Sequence, residues 1–198
     1  ACFEVADGRS VHAVAACIGQ LALGVLDPVV VAAAVFLRDL LEQLAPDQGD
    51  LFALLGADRA ADRGAGLAGD DLLIGGAGND RLSGQEGLDV LNGGGGKDTF
   101  VFDTALNSIT NVDVIQGFVS GVDKIAIDNA IFTGLANGPL PAGAFRLGAA
   151  ADANDRIIYN NITGALFSDG DGSGPAGLVQ FATLTGAPLL QASDFLVI

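Results

Sequence analysis

Four nine-residue segments stand in tandem over residues 66–101: GLAGDDLLI, GGAGNDRLS, GQEGLDVLN and GGGGKDTFV. The first position is always glycine (Gly66, Gly75, Gly84, Gly93), and so is the fourth (Gly69, Gly78, Gly87, Gly96). The sixth is always aspartate: Asp71, Asp80, Asp89 and Asp98. The eighth is always large and apolar: Leu73, Leu82, Leu91 and Phe100. The chain holds 29 glycines in 198 residues. At that frequency eight matched glycines arise by chance about once in a few million trials, so the register reflects structure and not composition. One nonapeptide cannot bury its apolar residue alone, whereas stacked copies can.

The residue types dictate what each unit does. The first six residues read as a loop and the last three as a short strand. Glycine allows turns that a Cβ forbids and lets carbonyl oxygens crowd one spot. In the strand the eighth side chain turns inward and its neighbours outward. Aspartate is a short, hard, anionic ligand. Carboxylates with carbonyl oxygens, and no His, Cys or Met nearby, select calcium over zinc or copper.

The pattern GGxGxDxUx, with U a large apolar residue, resembles the RTX or haemolysin-type calcium-binding repeat, itself a standard example of such periodicity. The resemblance implies a mainly β fold: a parallel β-roll in which two nonapeptides make one turn and loops two repeats apart stack on one edge. On that reading one ion lies between loops 66–71 and 84–89, with Asp71 and Asp89 as ligands. A second lies between loops 75–80 and 93–98, with Asp80 and Asp98. Carbonyl oxygens of Gly76, Gly78, Gly84, Glu86, Gly93 and Gly95 would complete the shells. Position two departs from the pattern at Leu67 and Gln85 on the first edge, while the second edge matches throughout. Asp70 reads as a solvated side chain.

Charge narrows the partners. The net charge is −15, with −5 carried by residues 1–65 and −10 by residues 66–198. Nucleic acid is not expected as a partner, since phosphate binding needs a basic face. Clustered carboxylates repel until a cation neutralises them. A roll of this kind is therefore expected to fold when calcium binds, with binding energy serving as folding energy.

Residues 103–198 form a second block with Gly and Pro punctuation. Short β-like runs are expected at Val112–Phe118, Lys124–Ile127, Arg156–Asn160, Ala165–Ser168, Leu178–Ala182 and Phe195–Ile198. They read as a β-rich cap on the roll's open end. FVFDTALNS, NVDVIQGF, DKIAID, RIIYNNITGALFSDGDGSG and DFLVI resemble the C-terminal region of secreted RTX proteins, including serralysin-type metalloproteases. The resemblance implies export from a Gram-negative bacterium through a type I secretion channel, unfolded and without a cleaved N-terminal signal. The address would lie in the C-terminal residues, where Asp194 precedes Phe195, Leu196, Val197 and Ile198; an ordinary last strand is a compatible reading. Asp169-Gly-Asp171-Gly-Ser173-Gly174 matches the first half of an EF-hand loop, but its twelfth position is Gln180 where a bidentate glutamate is required.

Residues 1–65 follow neither grammar. Ser10–Leu26 and Val29–Leu44 are rich in Ala, Val and Leu and are separated by Asp27-Pro28, which predicts a short helical segment. Val11–Leu26 spans sixteen residues and contains His12 and Gln20, short of the roughly twenty that cross a bilayer. No basic n-region marks a signal peptide, and membrane contact is not expected. Cys2 and Cys17 can pair or stay free. His12 is the single histidine. A serralysin-type zinc site needs HExxHxxGxxH and a lipase-type triad needs G-x-S-x-G; neither is present.

The domains are thus expected at 1–65, a helical N-terminal segment; 66–102, the β-roll; and 103–198, the cap and secretion region. The function expected is a non-catalytic, secreted calcium-binding module. The alternative is the C-terminal piece of a larger secreted enzyme, a protease, lipase or epimerase, whose catalytic domain lies upstream of Ala1.

Overall fold

The computed structural model describes residues 52–54, 63–149, 152–172 and 177–198. The helical segment expected within residues 1–65, with His12 and both cysteines, lies outside the described residues.

The 18-residue periodicity sets the architecture. Strands alternate between two sheets as the chain winds. One sheet takes β1 (Phe52–Leu54), β3 (Leu72–Ile74), β5 (Val90–Asn92) and β7 (Asp113–Gln116). The other takes β2 (Arg63–Ala68), β4 (Arg81–Glu86), β6 (Thr99–Phe102) and β8 (Lys124–Ile127). Neighbours within each sheet run parallel, with Leu73 beside Leu91 and Leu82 beside Phe100, two repeats apart. Two nonapeptides therefore make one turn, as a parallel β-roll requires. The roll also extends ahead of Gly66, since β1 pairs with β3 and β2 with β4.

Position eight fills the space between the sheets. Leu73, Leu91 and Ile115 form one column, in register across β3, β5 and β7. Leu82, Phe100 and Ile125 form the facing column across β4, β6 and β8. All six are buried and belong to one apolar cluster. Burying a Leu or Phe side chain stabilises by about 1.5–3 kcal/mol, so these columns hold the turns together.

The C-terminal half continues both sheets. The first sheet grows by β13 (Leu178–Leu184), β12 (Ala165–Asp169), β11 (Ile157–Asn160) and β10 (Phe145–Leu147). The second grows by β14 (Phe195–Val197) and then β9 (Gly138–Pro139). β13 and β14 still run parallel to β7 and β8, whereas β11, β12 and β13 form an antiparallel meander. Each of the six expected runs coincides with or overlaps a strand; β9 and β10 were not anticipated. β9 is two residues long and carries Pro139, which blunts the sheet edge.

The final strand is held from two sides. β14 pairs with β8 and β9. Asp194, fully buried, accepts hydrogen bonds from Ser120 Oγ (2.7 Å), Gly121 N–H (2.8 Å) and Gln191 N–H (2.9 Å). Phe181 packs edge-on against Phe102 and Phe132, each at 5.0 Å between ring centres. Among the described residues no helix is long and apolar enough to cross a membrane.

Candidate metal centre

The loops that join the sheets stack along two edges. Loops 66–71 and 84–89 share the first edge, and loops 75–80 and 93–98 share the second, where Ala77 and Gly95 bridge. Each sixth-position aspartate stands at the end of its loop, one residue ahead of its strand. Asp71, Asp80, Asp89 and Asp98 are all buried.

The carboxylates of Asp89 and Asp98 are tied to the turn below. Asp89 Oδ1 accepts the N–H of Asp71 at 2.7 Å, and Asp98 Oδ1 accepts the N–H of Asp80 at 2.9 Å, each 18 residues apart. The same step is repeated beyond the nonapeptides. Asp113 Oδ1 accepts from Asp89 N–H (3.3 Å), and Asp123 Oδ1 from Asp98 N–H (3.0 Å). Asp113 and Asp123 are buried as well. Each edge thus carries a column of three aspartates: Asp71, Asp89, Asp113 and Asp80, Asp98, Asp123.

Sequence reasoning missed the last member of each column. The glycine pattern stops at Gly96, and the spacing lengthens from 18 to 24 and 25 residues. One signal persists: Asp113-Val-Ile and Asp123-Lys-Ile keep the aspartate two residues ahead of an inward apolar side chain, as in every repeat.

The carbonyl groups expected beside the aspartates lie where stacked loops meet. Gly76 O accepts the N–H of Gly95 (2.7 Å), Gly95 O that of Gly78 (2.8 Å), and Glu86 O that of Gly69 (2.8 Å). Each keeps a second lone pair. Gly84 O and Gly93 O face Gly66 and Gly75, and a Cβ on either glycine would come within 2.5 Å of the opposing oxygen. Gly78 O faces Gly96 in the same way. Asp70 is exposed, and its Oδ1 accepts the N–H of Leu88 (2.8 Å); Asn79 does the same for Lys97 (2.8 Å). Position five is therefore an interloop brace.

The site suits a hard cation. Among the described residues no three His, Cys, Asp or Glu side chains gather as a metal cluster, so carboxylates must be joined by backbone oxygens. Asp89 Oδ2 is buried without a hydrogen-bond partner, a costly state that a cation would relieve. Burial pushes the Asp89 and Asp98 carboxyls up, and the Asp123 and Asp80 charges add to the rise at Asp98. Asp113 is pushed up to about 8, by burial first and then by the neighbouring Asp89 charge.

These shifts give the metal-free roll a pH dependence. Folded carboxyls raised above their unfolded value of 3.8 hold protons that the unfolded chain has released. Stability is then present at low pH and lost as pH rises through the folded values. A cation must displace those protons, so the calcium midpoint of the β signal should fall as pH rises from about 5 to 8. A midpoint that rises over this window would contradict the assignment.

Position two distinguishes the two edges. Gly76 and Gly94 take φ of 96° and 89°, and Gln85, their counterpart, takes φ of 72°. A side chain in this left-handed region costs about 1 kcal/mol. Gln85→Gly is therefore expected to raise stability by up to about 1 kcal/mol in saturating divalent cation, less the entropy that glycine adds to the unfolded chain. A urea titration checks it.

The family model for the RTX calcium-binding nonapeptide repeat matches four copies over residues 61–100. The solution structure of the AlgE6R3 subunit from the Azotobacter vinelandii mannuronan C5-epimerase is 29% identical, with a TM-score of 0.47. The match covers 76% of this chain and 81% of that one. No curated protein matches.

Proposed function

We propose that this chain, whose residues 61–100 are RTX calcium-binding nonapeptide repeats, is a calcium-triggered folding module of a secreted protein. Its side-chain ligands would be Asp71 and Asp89 on one edge and Asp80 and Asp98 on the other, joined by the carbonyl oxygens of Gly76, Gly78, Gly84, Glu86, Gly93 and Gly95. The two columns would run on into Asp113 and Asp123. The observation that carries this reading is the pair of buried aspartate columns, in which the carboxylates of Asp89, Asp98, Asp113 and Asp123 each accept the N–H of the aspartate one turn earlier, with Asp89 Oδ2 left without a partner. Calcium, when bound, supplies the positive charge that lets such carboxylates stack. The chain's own part is to hold them at fixed spacing and to exclude water with the apolar columns between the sheets.

The repeat segment is non-catalytic in itself, and RTX repeats occur in secreted proteins. In the proposed cycle residues 66–198 pass a type I secretion channel unfolded, addressed by the C-terminal residues. Low calcium inside the cell keeps the carboxylates mutually repelling, and high calcium outside folds the roll. The same module would serve as the tail of a secreted enzyme, and a reading frame holding HExxH or G-x-S-x-G upstream of Ala1 would identify that case.

The test is a calcium titration followed by far-UV circular dichroism, with magnesium as control. A β-type signal that grows with calcium and not with magnesium supports the reading. A spectrum indifferent to calcium and chelator would end it.

A further inference from the structure

The turn that closes β12 carries a second group of carboxylates, separate in sequence from the nonapeptide loops and unused by the function proposed above. Asp169, the last residue of β12, is 1% exposed. Its Oδ1 accepts the N–H of Gly172 at 2.8 Å, which locks the turn. Its Oδ2 is buried and finds no hydrogen-bond partner. This is the same division of labour as in Asp89, where one oxygen fixes backbone and the other is left bare inside the protein. Asp171 follows two residues later and is exposed.

The loop leading into β11 packs beneath this turn. Asp169 N–H donates to Arg156 O (2.9 Å). A Cβ at Gly172 would strike the Ala153 carbonyl and the Arg156 guanidinium. Asp152 and Asp155 come from the same loop, with Asp155 buried and its Oδ2 accepting from Asp152 N–H (3.2 Å). The Arg156 guanidinium and the Ala153 carbonyl of that loop thus lie against Gly172.

We propose that the turn at Asp169–Gly172 is an independent site for a hard divalent cation of the calcium class, with Asp169 Oδ2 and the Asp171 carboxylate as its side-chain ligands. A buried carboxylate oxygen with no donor is costly, and a cation is the partner that such an oxygen accepts most strongly. Every His and Cys of the chain lies outside the described residues, so the donors at this turn are oxygens, which favours calcium over zinc or copper. The Asp-Gly-Asp-Gly spacing matches the first and third ligand positions of a calcium loop, while Gln180 replaces the bidentate glutamate. Two carboxylates without that glutamate place the affinity in the weak class, about 10⁻⁴ to 10⁻³ M.

Ion counting on the full chain tests this. Bound calcium is measured by equilibrium dialysis at several millimolar free calcium for wild type, Asp169→Asn and Asp171→Asn, with far-UV circular dichroism on the same samples. Each variant is expected to bind one ion fewer per chain, while the calcium midpoint of the β signal stays within about twofold of wild type. Asp171 is exposed, so its variant remains informative should Asp169→Asn fold poorly. Unchanged ion counts in both variants would overturn the proposal and leave Arg156 or a proton as the partner of Asp169. An Asp80→Ala/Asp98→Ala chain separates the two sites: one that still loses an ion on adding Asp171→Asn supports this site whatever the roll does.

Discussion

Gly96→Ala should prevent the second edge of the roll from closing, while Gly95→Ala, one residue earlier, should leave it intact. Gly96 has φ of 135°, and its missing Cβ would fall on the carbonyl oxygen of Gly78 in the loop below. That atom belongs to backbone, so no rotamer change relieves the clash. Either the loops separate or the turn changes conformation, and both break the alignment of Asp80 with Asp98. The combined cost of strain and overlap is about 3–5 kcal/mol, a large part of the stability of a small domain. Gly95 has no atom within 4 Å of its ideal Cβ, and alanine there keeps the carbonyl that accepts from Gly78 N–H. Its effect should stay within about 0.5 kcal/mol. Urea midpoints in saturating calcium measure both. Equal midpoints for the two variants would show that loop contact at position four does not limit the fold.

The same contrast shows what could be read from sequence. The nonapeptide register fixed which residues stack, because an 18-residue turn leaves one way to align Leu73 with Leu91 and Asp71 with Asp89. The inward position-eight residues followed from strand alternation. Asp113 and Asp123 were missed because the turns before them are six and seven residues longer, so the period disappears while the geometry persists. The role of Asp70 as a brace for Leu88 N–H was hidden for another reason: aspartate and asparagine at position five do the same work through one oxygen, and charge is irrelevant to it. Strands β9 and β10 are two and three residues long and are defined by the partners they meet, β14 and β11, not by their own pattern.

Asp80→Ala/Asp98→Ala should have the largest effect of any pair on calcium-dependent folding, larger than Asp71→Ala/Asp89→Ala. The second edge carries glycine at position two in both loops, whereas the first carries Leu67 and the strained Gln85. It is also the edge that reaches the C-terminus. The Asp98 carboxylate accepts Asp80 N–H, and Asp98 N–H donates to Asp123. Asp123 Oδ2 in turn accepts Val119 N–H (2.8 Å), which sets the turn whose Ser120 and Gly121 hold Asp194 and so the strand Phe195–Val197. Removing two carboxylates from this column deletes the side-chain ligands proposed for this edge and loosens the register that carries the last strand. The calcium midpoint is expected to rise by at least about a hundredfold, since affinity for the metal is stability of the fold. Amide exchange at Phe195–Val197 should quicken with it, although these residues lie about a hundred positions from the nearer substitution. Circular dichroism across a calcium titration reads the first effect and hydrogen exchange the second. A double variant with the wild-type midpoint would remove Asp80 and Asp98 from the ligand set, and fast exchange confined to residues 75–98 would show that the column ends before it reaches the final strand.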